Sequence, residues 1–247
     1  MIKYIFLKLS LLFVVTTTIV HAQSKSWETT TKENFKSMLD EVSNFYKNQT
    51  HYSFDIRHSS FKDKNDTQPF ESSNGYMKKS GNSYHSLLMG VQTIQNNRYK
   101  VSVDKINEMI MFSDAEELLS PWDEYNKEGS MEMVMKVEKR MLNSGDVQYK
   151  AIYQDGLGVD YLIIEKNKAG WTNELIICYE DRLYEDQETR IQEKVAPMVK
   201  VKYTNFTQDK VGPSEFDVSK FVLINGKSVT PTSAYQNFSF YDARQPK

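Results

Sequence analysis

The chain has 247 residues, of which 39% are hydrophobic and 26% are charged; this is the composition of a globular protein and excludes collagen-like or low-complexity chains. The 31 Lys and Arg residues nearly balance the 33 Asp and Glu residues, so the chain lacks the basic excess that is typical of nucleic-acid-binding proteins. A single cysteine and four histidines exclude a disulfide-stapled scaffold and a zinc finger.

Residues 1–22 have the pattern of a secretory signal peptide. Two lysines accompany a short apolar run from Leu9 to Val20, and the residues up to Ala22 fit a cleavage site. An uncleaved membrane anchor is the alternative, but spanning a bilayer needs roughly 20 apolar residues. We therefore expect an exported, periplasmic protein whose mature chain forms one domain over 23–247.

The first predicted element of the mature chain is an amphipathic helix over 31–48. Thr30, with Glu33 three positions later, matches a capping box at its start. Apolar residues then recur at spacings of three and four, namely Phe35, Met38, Leu39, Val42, Phe45 and Tyr46.

After this helix the apolar period changes to two, which predicts an antiparallel β body. Turn dipeptides such as Asn96-Asn97, Asp155-Gly156 and Asn225-Gly226 separate the segments. The predicted strands are 51–61, 72–80, 83–95, 98–104, 108–113, 146–154, 158–167, 171–180, 196–207, 218–224 and 235–241.

The alternation stops twice, between 114 and 145 and again over 181–194. In the first interruption a helical stripe predicts a helix from about 130 to 142. A methionine stripe is more often a core seam, but methionine also repacks around varied partners and so suits a lid. The candidate lid residues are Met131, Val134, Met135 and Met141.

The predicted hairpins allow a test of which side chains share a face, because directly paired residues lie on the same side of a sheet. Two-residue turns at Asp155-Gly156 and Lys168-Ala169 place Leu162 opposite both Tyr149 and Leu175. The candidate ligand-binding face then contains Tyr149, Leu162, Ile164, Leu175, Ile177 and Tyr179.

The same construction with Asn96-Asn97 and Lys105-Ile106 as turns predicts a second apolar row. Long sheets curl, pack on another layer or close into a barrel so that such rows are covered. The row consists of Ile94, Tyr99, Val101, Val103, Ile110 and Phe112.

Three segments carry a resemblance to a known family. Gly75 to Lys79, and Val101 to Phe112, resemble that family's early strands, and Ser219 to Arg244 is similar to its closing strands. Together with the order of elements, they make the chain resemble the periplasmic lipoprotein carriers and receptors called LolA-like proteins.

The resemblance implies a mainly β fold: a curved, antiparallel, unclosed half-barrel with an N-terminal amphipathic helix and a mid-chain helical lid. In that family the apolar concave face receives acyl chains, and an arginine on an early strand holds the lid. Arg57 is the nearest equivalent by position, although no surrounding motif matches it, so its role stays open.

The sequence contains no recognisable catalytic constellation. His51 and His58 are seven residues apart on one predicted strand, and an odd spacing sends them to opposite faces; with His85 they meet only through a long-range contact. Gly156-Leu-Gly158 lacks the third glycine of a phosphate-binding loop, and Cys178 is interpreted as a buried apolar residue. We therefore predict no enzyme activity, no cofactor and no metal.

Two functions remain open from the sequence. The first is an envelope carrier or chaperone that binds a lipid or a lipoprotein acyl chain, with lipid or acylated protein as partner and no nucleic acid. The second is a structural or stress-sensing interaction module of the envelope, with other envelope proteins as partners and a packed interior. They differ in whether the apolar face is left as a cavity or filled by the protein's own side chains.

Overall fold

The computed structural model describes residues 26–117, 129–185 and 192–244. The predicted signal peptide lies outside these ranges and stays a prediction. Within them, no helix is long and apolar enough to cross a membrane.

The predicted N-terminal helix is confirmed as α1 (Lys32–Asn48). Its cap differs from the prediction, because Thr30 is the last residue of an extended strand and pairs with Val137. Thr31 takes the cap position instead, and its hydroxyl accepts a hydrogen bond from the backbone N–H of Asn34 at 3.2 Å. The six predicted apolar positions of α1 are buried or partly buried on one face.

Seventeen strands make up most of the rest of the described chain. They are β1 (Glu28–Thr30), β2 (His51–Phe61), β3 (Glu71–Ser80), β4 (Ser83–Leu88), β5 (Val91–Gln95), β6 (Tyr99–Asp104), β7 (Met109–Asp114), β8 (Val134–Met141), β9 (Val147–Tyr153), β10 (Val159–Lys166), β11 (Thr172–Tyr179), β12 (Arg182–Glu185), β13 (Gln192–Val195), β14 (Met198–Thr207), β15 (Val222–Asn225), β16 (Ser228–Pro231) and β17 (Ser239–Asp242).

Thirteen of these strands form one sheet in the order β1-β8-β9-β10-β11-β14-β2-β3-β4-β5-β6-β7-β17. Its neighbours pair antiparallel except β17, which runs parallel to β7. The sheet is curved and its edge strands β1 and β17 do not meet. The predicted mainly β, unclosed half-barrel is therefore confirmed. Short 3-10 turns at Pro213–Phe216, Val218–Lys220 and Ser233–Tyr235 accompany the C-terminal strands.

The predicted apolar face is confirmed, although its pairing is shifted by two residues. Leu162 pairs with Ala151 and Ile177, and Ile164 pairs with Tyr149 and Leu175. The connecting loops are five residues long, 154–158 and 167–171. An even shift leaves every side chain on its predicted face, because side chains alternate with a period of two. We call this side of the sheet, which α1 covers, the helix face.

The second apolar row lies on the opposite side of the same sheet. Phe54 lies on the helix face, and direct pairing places Met77, Ser86 and Thr93 on the same side of the sheet. Ile94 follows Thr93 in β5 and therefore points to the opposite side. This side, which we call the tail face, is covered by the C-terminal segment 213–238. Its buried core is formed by Ile94, Val101, Val103, Ile110, Phe112, Phe216, Val218, Phe221, Val222 and Val229.

The predicted lid helix from about 130 to 142 is wrong. This segment contains strand β8, which pairs with β9 and β1. A bulge between Val134 and Lys136 places Val134 and Val137 on the same face although they are three residues apart. The helix was predicted from the spacing of Met131, Val134, Met135 and Met141, but in the bulged strand Val134 is buried whereas Met135 and Met141 are exposed.

The predicted strand 83–95 is two strands, because Met89 and Gly90 form a tight hairpin between β4 and β5. Both residues have positive φ, 50° and 84°, as the type I′ hairpin turn requires. Methionine is rare in that conformation, so the sequence carries no usual turn signal here.

Candidate functional site

The two halves of the helix face differ in how they are covered. Over β8 to β11 and β2, α1 fills the face with buried side chains such as Phe35, Leu39 and Val42. Beyond α1 the face is left as a cavity of about 570 Å³. This volume lies within the range of about 300–1,000 Å³ that is typical of small-molecule sites.

The cavity crosses seven strands, from β14 to β7. Its lining is mainly apolar and aromatic, with a minority of hydroxyl and charged groups. The lining residues are Tyr46, Tyr52, Phe54, Ile56, His58, Ser73, Gly75, Met77, Tyr84, Ser86, Leu88, Met89, Thr93, Lys100, Ser102, Met111, Val201 and Tyr203.

One end of the cavity is aromatic. The rings of Tyr52 and Phe54 stack at 5.7 Å between centroids, and Tyr46 from the end of α1 meets Tyr52 edge-on at 5.6 Å. The Tyr46 hydroxyl accepts a hydrogen bond from the backbone N–H of Thr172 at 3.3 Å. Burial raises the pKa of Tyr46 to about 12 and also raises the pKa of Tyr52. This end therefore presents neutral ring faces to any occupant.

The other end of the cavity is polar. Ser86, Thr93 and Ser102 lie side by side on β4, β5 and β6, because each is directly paired with the next. The hydroxyl oxygens of Thr93 and Ser102 are 3.0 Å apart. Met77 and Met111 continue the row on its two sides. A short row of hydroxyl groups thus crosses an otherwise apolar floor.

A lysine stands beside this row. Lys100 precedes Ser102 by two residues on β6 and therefore faces the same way. Its ammonium group donates to Glu116 Oε2 at 2.8 Å, and the exposed fractions of the two side chains are 20% and 65%. Burial raises the pKa of the neighbouring Tyr84, which keeps its hydroxyl neutral.

At Gly75 the floor of the cavity leaves no room for a side chain. A Cβ atom on Gly75 would lie 2.0 Å from the carbonyl oxygen of Leu87, a backbone atom that cannot move aside. Glycine at this position lets β4 approach β3 closely. Gly75 therefore shapes the sheet under the middle of the cavity.

The structure brings the six predicted ligand-binding residues together, but beside the large cavity and not in it. Leu162, Ile177 and Tyr179 line a smaller pocket of about 310 Å³. Ile164 and Leu175 are buried in the core with α1. The ring of Tyr149 packs on Phe35 at 6.2 Å. Their role in ligand binding stays a prediction.

The four predicted lid residues are separated by the bulged strand. Val134 is fully buried in the core with α1, and Met131 is partly buried against that core. The side chains of Met135 and Met141 are 59% and 47% exposed. α1, and not this segment, therefore covers the helix face.

Sequence reasoning missed the residues that line the large cavity. The alternation of Tyr52, Phe54 and Ile56 along β2 was a visible signal for an apolar face. The hydroxyl row gave no such signal, because its members come from three strands and are united only by the register of the sheet.

The other singled-out residues do not form a catalytic group. His51 and His58 lie on opposite faces, as predicted, since β2 is regular between them; only His58 lines the cavity. His85 lies on the tail face, where its Nδ1 is 3.2 Å from Glu215 Oε2. Arg57 is exposed on the tail face, and Cys178 is buried as predicted. Within the described ranges no cluster of three or more His, Cys, Asp or Glu could hold a metal ion.

Comparison with known proteins finds neighbours in fold only. No protein-family model and no curated protein matches the chain. A conserved protein from Thermus thermophilus, titled uncharacterized, is 9% identical, with a TM-score of 0.43 over 86% of this chain and 99% of its own. A LolA superfamily protein from Nitrosomonas europaea is 6% identical, with a TM-score of 0.30 over 74% of this chain and 97% of its own.

A third solved structure, a Vibrio parahaemolyticus domain described as an outer membrane lipoprotein-sorting protein, is 6% identical, with a TM-score of 0.27 over 76% of this chain and 98% of its own. Two of these three neighbours bear LolA-type names. This is the family that the sequence resembles.

Proposed function

We propose that this protein is an envelope carrier or chaperone that binds the acyl chain of a lipid or lipoprotein in the cavity on its helix face. The observation that carries the proposal is that α1 covers only part of this face and leaves about 570 Å³ lined mainly by apolar side chains. A packed interaction module would fill that space, since protein interiors are normally close-packed.

The energetics of such a ligand are favourable. Burial of an acyl chain contributes about 0.8 kcal/mol per methylene, so about 14 methylenes give on the order of 11 kcal/mol before ordering costs are subtracted. This is ample for capture, and release would require a competing acceptor. The predicted signal peptide supports a periplasmic location, where acylated proteins and lipids are the partners that the proposal requires.

The proposal makes no use of catalytic chemistry. The polar groups in the cavity wall are hydroxyls, one lysine and one histidine. Ser73 is directly paired with His58 across β2 and β3, but among the described residues no hydrogen bond joins His58 to a hydroxyl of the wall, as activation of a nucleophile requires. Binding and release therefore account for the site without a reaction.

The first test measures binding of a fluorescent fatty-acyl probe to the purified protein and to Ser73→Trp. Ser73 lines the cavity from β3, and an indole at this position would occupy the space of the ligand. We expect the variant to bind the probe at least tenfold more weakly, which corresponds to about 1.4 kcal/mol.

Asn74→Trp is the matched control, because Asn74 is exposed on the other side of the same strand. It should bind the probe as the native protein does. Lipid extraction and mass spectrometry of the native protein should also recover acyl lipid. Native protein that binds no probe and carries no lipid would favour the interaction module.

A further inference from the structure

The cavity has two chemically different ends. The aromatic end is formed by Tyr46, Tyr52 and Phe54, and the polar end by Lys100 with the row of Ser86, Thr93 and Ser102. Strands β2 and β6 are four positions apart in the sheet, so at roughly 4.8 Å per strand Ser102 lies about 19 Å from Phe54 as measured along the curved sheet. An elongated ligand can therefore reach from one to the other.

The hydroxyl pair at the polar end keeps a free donor. Thr93 and Ser102 share one hydrogen bond of 3.0 Å, in which one hydroxyl donates and the other accepts. The accepting hydroxyl retains its own hydrogen. That hydrogen is available to an oxygen atom placed in the cavity above the row.

Lys100 adds positive charge at the same place. An ammonium group has three hydrogen-bond donors, and Glu116 uses one of them. The Glu116 carboxylate is largely exposed, whereas the Lys100 side chain is mostly covered. An ion pair with a largely exposed carboxylate contributes little stability, so a second anionic oxygen can join or replace Glu116 at the ammonium group.

We infer that the ligand is a single-chain amphiphile with an anionic oxygen head, bound with its head at Lys100, Thr93 and Ser102 and its tail at the aromatic end. This inference rests on the proposed function and adds the direction and the charge of the ligand. A carboxylate and a phosphate monoester share the required chemistry, since both accept charge-assisted hydrogen bonds.

The test compares three ligands with the same chain: hexadecanoate, hexadecyl phosphate and hexadecanol. Each displaces a fluorescent acyl probe from the native protein, and the ratio of anion to alcohol affinity is the readout. We expect at least one of the anions to bind about tenfold more tightly than hexadecanol, which is about 1.4 kcal/mol. The arm that shows the larger ratio identifies the head as carboxylate or phosphate.

Four variants test whether Lys100 is the origin of the preference for an anionic head. Lys100→Met should reduce the ratio to about one, Lys100→Arg should retain it, and Glu116→Gln should increase it several-fold because a competing anion is removed. Lys105→Met is the control, since Lys105 is exposed in the turn after β6 and its removal changes the net charge equally. Circular dichroism establishes that each variant is folded.

The outcomes separate the two proposals. Equal binding of all three ligands overturns the inference about the head and leaves the proposed function standing. Binding of none overturns both. A ratio that survives in Lys100→Met, or that falls in Glu116→Gln, also overturns the inference; if Lys100→Met does not fold, Lys100→Arg and Glu116→Gln decide.

Discussion

Gly75 shows how a single residue shapes the cavity. Its own φ is not in the left-handed region, so the requirement for glycine does not come from its backbone conformation. It comes from the close approach of the Leu87 carbonyl oxygen, which a Cβ atom would meet at 2.0 Å. Both the shape of the cavity floor and the close pairing of β3 with β4 therefore depend on the absence of a side chain at Gly75.

We expect Gly75→Ala to lower the free energy of unfolding by about 1–3 kcal/mol, the usual cost of forcing extra atoms into a packed site. The displaced β4 should also weaken binding of the acyl probe. Urea denaturation followed by tyrosine and tryptophan fluorescence measures the first effect, and a probe titration measures the second.

Gly212→Ala is the control for this substitution. The nearest atom to a Cβ on Gly212 is the Ser214 hydroxyl at 3.9 Å, and the φ of Gly212 is −66°. Its free energy of unfolding should stay within about 0.5 kcal/mol of the native value. Equal losses in both variants would show that the Leu87 carbonyl is not the cause.

The apolar residues in and just before strand β8 have a spacing that resembles that of a helix. In a helix, Met131, Val134 and Met135 would share a face, and Met135 would be buried with the other two. In the bulged strand, Val134 and Val137 are buried together while Met135 is exposed. The two arrangements therefore differ in whether truncation of Met135 lowers the free energy of unfolding.

We expect Val137→Ala to lower the free energy of unfolding by about 2 kcal/mol, from roughly 0.8 kcal/mol for each of two lost carbons and the cavity that they leave. Met135→Ala removes a larger side chain from the same strand, but it should change the free energy of unfolding by less than about 0.5 kcal/mol. Urea denaturation of the two variants compares them directly. A loss in Met135→Ala as large as the loss in Val137→Ala would favour a helix in this segment.

At the scale of the whole molecule, one sheet carries two cores on opposite faces. The tail segment is fixed on its face by apolar packing and by a polar contact in which Glu215 meets both Lys78, at 3.0 Å, and His85, at 3.2 Å. His85 Nε2 also lies 2.8 Å from the Tyr76 hydroxyl. The C-terminal segment therefore packs against the tail face of β3 and β4, whereas the cavity lies on the helix face of the same strands.

This contact makes stability depend on pH. Burial lowers the pKa of His85 below its ordinary value of 6.5, although Glu215 opposes the shift. Between that lowered pKa and 6.5 the unfolded chain binds more protons than the folded chain, so stability falls as pH falls. Lys78 and His85 lower the pKa of Glu215 below 4.5, so its stabilising contribution is lost only in more acidic solution.

We expect the free energy of unfolding to decrease between about pH 7 and pH 5, and His85→Gln to reduce that slope. Urea denaturation at a series of pH values measures it. His51→Gln is the control, because His51 bonds to Ser80 on β2 and β3, away from the tail. A slope that is unchanged in His85→Gln would exclude His85 as its origin.

The sequence alone was sufficient for those features that depend on local periodicity. The spacing of Phe35, Leu39 and Val42 predicted α1, and the alternation of apolar residues predicted strands and their faces. The predicted faces were right although the predicted turn lengths were wrong, because each wrong turn shifted the pairing by an even number of residues. Leu162 pairs two residues away from its predicted partners and still faces α1.

The tertiary structure alone decided which layer covers each face and where space remains. The rows of Leu162 and Ile94 look alike in the sequence, yet α1 covers one and segment 213–238 the other. The hydroxyl row likewise exists only through the pairing of three strands. Periodicity determines which side chains of one strand share a face, but covers and cavities arise from contacts between different elements, and the pattern within one element carries no information about those.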